Sequence, residues 1–184
     1  MRIIAGMYRS RSLSAPAGLA TRPTSDRLRE TLFNVVAGRI EGAAFLDLYA
    51  GSGAVGLEAL SRGARRVTFV EKAPAALKVL RGNLERLGVR GGFHVHAGSV
   101  AGFLRGDQAE VFDLVFLDPP YDAGREYETA LGLLGGPAAG RLGPGAVVVA
   151  EHRRKQKLED EYGGLRRARL LEQGDAALSF YAVA

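Results

Sequence analysis

Leu46-Asp47-Leu48-Tyr49-Ala50-Gly51-Ser52-Gly53-Ala54-Val55-Gly56 decides the architecture. The apolar run that starts at Phe45 has the length of a buried strand, and it passes through closely spaced glycines into a stretch with helical spacing. The glycines fit G-x-G-x-x-G, and Glu71 ends a second apolar run twenty residues after Gly51. A strand, a glycine turn, a helix and a carboxylate in that register point to a nucleoside-binding turn, with the acid accepting hydrogen bonds from ribose hydroxyls. The plain structural reading is a strand-to-helix turn that needs glycine for packing, with Glu71 capping the next helix. Both NAD and S-adenosylmethionine satisfy the pattern. Asp47 separates them: an acid just before the glycines suits an ammonium group and is awkward beside a pyrophosphate, which prefers positive potential and free N–H groups.

From that stretch outward the chain alternates. Strands are expected over 45–49, 66–70, 92–97, 113–117 and 146–150, with helices over 55–62, 75–87, 100–105 and 127–134. Strand–helix alternation implies a parallel sheet covered on both faces. Residues 165–171 and 178–183 are strand-like and joined through Gly174-Asp175, so they form an antiparallel hairpin at the sheet's edge. The expected fold is α/β and Rossmann-like: a seven-stranded, mostly parallel sheet with an antiparallel C-terminal hairpin, helices on both faces and a small N-terminal extension. Residues 1–44 form that extension and 45–184 the main domain. Within the extension, 2–13 suggests two short β segments around Gly6-Met7, Arg22-Pro23-Thr24 a loop, and Ser25 the N-cap of a helix running to about Ala37. Leu28, Leu32, Phe33 and Val36 share one face of that helix.

A second stretch closes the strand over 113–117: Asp118-Pro119-Pro120-Tyr121. The prolines fix φ and carry no N–H, and each restrains the residue before it. The turn is therefore stiff and offers carbonyl oxygens beside a carboxylate and an aromatic ring, which suits a flat, amino-bearing ring. In a doubly wound sheet the first and fourth strands flank the switch point where ligands bind, so the two stretches should meet in one crevice.

Composition narrows the class. With 184 residues, 47% of them hydrophobic, the chain supports one sizeable domain. The absence of cysteine removes disulfides, thiolate nucleophiles and cysteine metal sites, and three histidines give no zinc set, so no metal is expected. No apolar run approaches the ~20 residues of a membrane span, and 1–6 has no signal-peptide core; a soluble cytoplasmic protein is expected. Of the net charge of +5, residues 1–30 hold +4, all of their basic side chains being arginine: Arg2, Arg9, Arg11, Arg22, Arg27 and Arg29. Arginine suits bidentate phosphate contacts. Charge alone leaves open whether this is a solvated tail or a footprint for a polyanion.

The glycine turn and the Asp-Pro-Pro-Tyr stretch together resemble the class I S-adenosylmethionine-dependent methyltransferases that modify exocyclic amino groups of bases. Ile3-Ile4-Ala5-Gly6, Arg9, Arg11 and the run from Arg22-Pro23-Thr24-Ser25-Asp26-Arg27 to Phe33-Asn34 are similar to the RsmD family of bacterial 16S rRNA guanine-N2 methyltransferases, and the likeness extends over essentially the whole chain. The resemblance implies S-adenosylmethionine as cofactor, S-adenosylhomocysteine as product, and a guanine of 16S rRNA in the 30S subunit or a late assembly intermediate as substrate. It implies a cofactor site of Asp47, Gly51, Gly53, Gly56, Glu71, Lys72, Ser99, Val100 and Asp118, and an RNA surface of Arg2, Arg9, Arg11, Arg22 and Arg27. Asp118 and a proline carbonyl would accept the two N–H bonds of the amine while Tyr121 stacks on the base; Pro120 completes the turn. Many such enzymes place an aspartate where Ser99 stands; the hydroxyl can accept a hydrogen bond but carries no charge. A monomer is the simplest expectation. Three other readings remain: an adenine-N6 methyltransferase on DNA or RNA, a catalytically silent RNA-binding module with this fold, and an NAD-dependent oxidoreductase.

Overall fold

The structure is a computed structural model and describes residues 1–16, 25–107, 109–120 and 124–184. Helices α1 (Asp26–Val35) and α2 (Ala37–Ile40) lead into β1 (Ala44–Leu48), α3 (Ala54–Ser61), β2 (Arg66–Glu71), α4 (Pro74–Leu87), β3 (Phe93–Ala97), α5 (Val100–Arg105), β4 (Phe112–Leu117) and α6 (Gly124–Leu134). Four strands finish the chain: β5 (Leu142–Arg153), β6 (Glu161–Tyr162), β7 (Leu165–Gln173) and β8 (Ala176–Val183). Their order across one sheet is β3-β2-β1-β4-β5-β8-β7-β6, with β1 to β5 parallel and the rest antiparallel. The order reverses between β1 and β4, the switch point where the chain leaves a crevice.

Strand period distributes the core. Phe45, Phe69, Leu114 and Phe116 project to one face and pack with Leu32, Phe33, Leu57 and Leu80 of α1, α3 and α4. Leu46, Leu48, Val115 and Leu117 project to the other and pack with Phe103 and Leu104 of α5 and Leu131 and Leu134 of α6. Every residue of β1 is buried, as a strand covered on both sides requires. Helix α4 shows how local sequence sets its bounds: Pro74 occupies its first turn and Gly88, at φ +71°, ends it.

Two expectations need correction. The sheet has eight strands, not seven: β6 is two residues long and pairs with Leu165-Arg166 across Gly163-Gly164, too short to show a period. The helix expected from Ser25 to about Ala37 breaks at Val36 into α1 and α2; adjacent Val35 and Val36 followed by Gly38 weaken it there. The two β segments expected over 2–13 are present as a short antiparallel pair: Arg2 bridges Ser12, Ile3 N–H donates to the Arg11 carbonyl (2.9 Å), Ser10 N–H to the Ile3 carbonyl (2.9 Å) and Leu13 N–H to the Met1 carbonyl (3.0 Å). The donors of the residues that connect them go to α3. Ile4 and Ala5 N–H donate to Glu58 (2.8 and 3.0 Å), Met7 N–H to the Ser61 carbonyl (2.7 Å) and Tyr8 N–H to Ser61 Oγ (2.9 Å). The arm is thereby paired with itself at its ends and bound to α3 through the residues between. Gly6, at φ +82°, is required there, since a Cβ would lie 1.8 Å from the Ser61 carbonyl oxygen.

Glu58 is fully buried and also meets Arg62 Nε (2.7 Å) and Arg29 Nε (3.6 Å). Arg29 is fully buried too, reaching Asp26 (3.0 Å) and the Arg2 carbonyl. Breaking such a pair by removing one partner costs about 3–5 kcal/mol. Among the described residues, no helix is long and apolar enough to cross a membrane.

Candidate active site

The register builds the site. Val70, Leu48, Leu117 and Ala150 are aligned across β2, β1, β4 and β5. The next residue of each strand, Glu71, Tyr49, Asp118 and Glu151, stands at the carboxyl edge of the sheet beside the switch point. Glu71, Tyr49 and Asp118 line one cleft together with Asp47, Gly51 and Ser52. Lys72, Ser99, Val100, Pro119 and Pro120 complete the residues that sequence reasoning assigned to this crevice and that the structure places on its walls. The glycine turn and the Asp-Pro-Pro stretch thus open onto a common space. Tyr121 lies outside the described residues.

The glycines divide by role. Gly51, at φ +56°, has no heavy atom nearer than the Tyr49 carbonyl oxygen at 3.9 Å from an ideal Cβ, so its missing side chain leaves the cleft open. Gly53 and Gly56 do not line the cleft. A Cβ on Gly53, at φ +78°, would sit 2.2 Å from Leu80 Cδ1, and one on Gly56 2.3 Å from Phe69 Cε1. Gly53 makes room for a side chain of α4 and Gly56 lets α3 lie close on β2, so both serve packing, the plain structural reading of the motif.

The cleft is acidic. Asp47 is 2% exposed and accepts the Gly56 N–H (2.9 Å). Burial pushes its carboxyl up, the Gly56 N–H pulls it back, and Glu71 pushes it further, leaving it at about 8. Asp118, partly buried, is likewise raised well above the carboxylate range by burial and by the neighbouring Glu151 and Asp47 carboxyls. Glu71 holds the turn in shape: it accepts Gly51 N–H on Oε2 (2.8 Å) and the Lys72 and Ala73 N–H groups on Oε1 (2.8 Å each). Ser99 is the N-cap of α5, its Oγ accepting Gly102 N–H (3.1 Å), so one lone pair already serves the helix.

Sequence reasoning passed over several wall residues. Tyr49 is a non-glycine residue at φ +60°, and this turn swings its ring toward α6, where its hydroxyl donates to Glu126 Oε2 (2.6 Å). Burial and Glu126 both raise the Tyr49 hydroxyl well above its ordinary value. The available signal was its place directly after β1. Glu126, Ala15 and Pro16 also line the cleft, and no pattern in the sequence marks them. Arg2, Arg9, Arg11 and Arg27 are exposed, Arg11 donating to the Arg86 carbonyl (3.2 Å). Arg22 lies outside the described residues, and the buried Arg29 is removed from any phosphate-facing surface.

A family model described as "Conserved hypothetical protein 95" matches residues 1–182. The chain belongs to that family. YlbH of Bacillus subtilis, provisionally named an rRNA methyltransferase, is 34% identical over 183 residues, covering 98% of each chain. Ribosomal RNA small subunit methyltransferase D of Escherichia coli is 43% identical over 129 residues, covering 70% of this chain and 64% of its own. The solved structure of yhhF from Escherichia coli, provisionally named a methyltransferase, superposes with a TM-score of 0.85 at 35% identity, covering 100% of this chain and 97% of that one. The conserved hypothetical protein 95 model begins at the arm and ends in β8, so arm, switch-point cleft and antiparallel edge all belong to the family's unit.

Proposed function

We propose that the chain transfers a methyl group from S-adenosylmethionine to the exocyclic N2 amine of a guanine in 16S rRNA. One observation carries this: the glycine turn with its acids and the Asp118-Pro119-Pro120 stretch wall a single cleft. The acids choose the cofactor class. A cation entering beside Asp47 draws its raised carboxyl back toward the charged form, so that with Glu71, Asp118 and Glu126 the space is hostile to a pyrophosphate and receptive to a ligand carrying an ammonium and a sulfonium. The open side of Gly51 admits a nucleoside close to the backbone, Glu71 can receive ribose hydroxyls on its remaining lone pairs, and Val70, Ala76 and Val100 give an apolar seat for a purine. When bound, S-adenosylmethionine supplies an electrophilic methyl carbon.

The chain's own residues do the rest by positioning. The amine of guanine is a poor nucleophile because its lone pair is delocalised into the ring. Asp118 and the Pro119 carbonyl accept its two N–H bonds and favour a pyramidal nitrogen. Asp118, its carboxyl raised by burial and by Glu151 and Asp47, is then a better resting place for the proton the nitrogen releases. The base leaves its stack to enter, and Tyr121 stacks on it. Residues 1–44 serve as the RNA-binding extension, with Arg2, Arg9, Arg11, Arg22 and Arg27 meeting phosphates, and 45–184 as the catalytic domain. The relatives' names support an rRNA substrate. A 30S particle or late assembly intermediate, a monomeric enzyme and a cytoplasmic setting complete the reading. The test incubates the protein with labelled methyl donor and unmethylated small-subunit particles, then identifies the modified nucleoside. N2-methylguanosine is expected. N6-methyladenosine, or no incorporation by protein that binds S-adenosylhomocysteine, would overturn the proposal.

A further inference from the structure

Asn83 of α4 is fully buried, and its amide is spent on two segments far apart in sequence. Its Oδ1 accepts the Ser14 N–H (2.9 Å), and its Nδ2 donates to the Ser14 carbonyl (3.0 Å) and to the Ser52 carbonyl (3.0 Å). It thus pairs with both backbone groups of one arm residue, as a neighbouring strand would, while its remaining hydrogen holds the glycine turn. The two residues after Ser14, Ala15 and Pro16, line the cleft on one side; Gly51 and Ser52 line it on another. Three residues before Ser14, Arg11 is exposed and tethered to the Arg86 carbonyl on the same helix (3.2 Å). One side chain therefore stands between a cationic arm and the turn that meets the cofactor.

We infer that Asn83 is a positioning residue that fixes the N-terminal arm as a wall of the cofactor cleft and so links cofactor binding to RNA binding. The linkage rests on the reading of arm and cleft proposed above. Ordering the arm on phosphates orders Ser14, and through Asn83 it orders the Ser52 turn; a ligand in the cleft does the reverse. Such coupling is reciprocal by necessity, and fivefold or more is typical of linked sites. A merely structural asparagine would alter stability and leave both affinities and their coupling untouched.

The experiment titrates the full chain with S-adenosylhomocysteine by calorimetry, alone and in the presence of saturating unmethylated small-subunit particles. The wild type should bind the nucleoside at least about fivefold more tightly in their presence. Asn83→Asp keeps an acceptor for the Ser14 N–H but loses both amide donors. It should bind S-adenosylhomocysteine roughly tenfold more weakly without particles, and the gain on adding them should fall below about twofold. Ser14→Pro removes the Ser14 N–H at the end of the arm and leaves the core asparagine in place, which guards against a variant that fails to fold. It should reduce affinity and coupling in the same direction. A lowered melting temperature with wild-type affinity and wild-type coupling would overturn the inference. A wild type that binds both ligands independently defeats the linkage alone; one that binds S-adenosylhomocysteine but not the particles defeats the RNA reading together with it.

Discussion

Asp47 carries a conflict between folding and function that can be measured. Its carboxyl is 2% exposed and has moved from 3.8 to about 8, with burial the chief cause, the Gly56 N–H opposing it and Glu71 adding to it. In the unfolded chain the proton leaves near pH ~4; in the folded chain it stays until about pH 8. Between those values the folded state binds the extra proton, so this residue erodes stability as pH rises. A gap of about four pH units at ~1.4 kcal/mol each sets a ceiling of roughly 6 kcal/mol. Asp47→Asn removes the titration, and its amide oxygen can still accept the Gly56 N–H. Urea melts of variant and wild type from pH ~5 to ~8 should diverge, the variant gaining up to ~1.4 kcal/mol per pH unit and leading by at least about 2 kcal/mol at the upper end. On the proposed reading the same variant should bind S-adenosylhomocysteine about tenfold more weakly, because position 47 then has no carboxylate to offer the ligand's ammonium. A stability difference that stays constant across the pH range, or a variant less stable at pH ~8, would refute the reasoning.

Other outcomes follow from the same site. Binding of S-adenosylhomocysteine near pH ~7 should release protons, since a cation beside Asp47 lowers its raised carboxyl toward the usual range; calorimetry in buffers of different ionisation enthalpy reads the number, and proton uptake would contradict it. Asp118→Ala should keep S-adenosylhomocysteine affinity within about threefold while methyl transfer falls by ~10³ or more, as loss of positioning and of the proton acceptor requires; near-normal methylation would end the assigned role. Gly6→Ala meets the Ser61 carbonyl oxygen at 1.8 Å in a left-handed turn, so it should cost about 2–4 kcal/mol in chemical denaturation or release the arm from α3, seen as proteolysis within 1–16. Arg9→Ala with Arg11→Ala should weaken particle binding and reduce the salt slope by about 1.5–2; an unchanged slope would point to phosphate contacts elsewhere.

The parallel half of the sheet was legible because β1, β2 and β4 carry apolar runs of strand length with glycine or acid punctuation at their ends. Asp47, Gly51 and Glu71 were legible because spacing along one strand–turn–helix–strand unit fixes their relative places, and Asp118 because it closes the fourth strand beside the switch point. What was not legible depends on tertiary partners. The arm reads as a hairpin by local pattern and pairs as one, but no local pattern shows that Glu58 and Ser61 take the donors of its connecting residues. The Arg29 cation reads as part of a basic cluster until the buried Glu58 claims it. Tyr49 looks like strand material, and only its left-handed backbone turns the ring toward Glu126. Strand β6 exists because Gly163-Gly164 folds two residues back on Leu165-Arg166, with no period to announce it.

The Phe69 ring occupies the hollow where residue 56 has no side chain. Helix and strand are therefore matched by size at this point, independently of whatever fills the cleft. A lineage that acquired a larger residue at position 56 would have to shrink position 69 in compensation, and it could do so while keeping its chemistry. A change of cofactor would leave its mark among the carboxylates instead, with the glycine spacing intact.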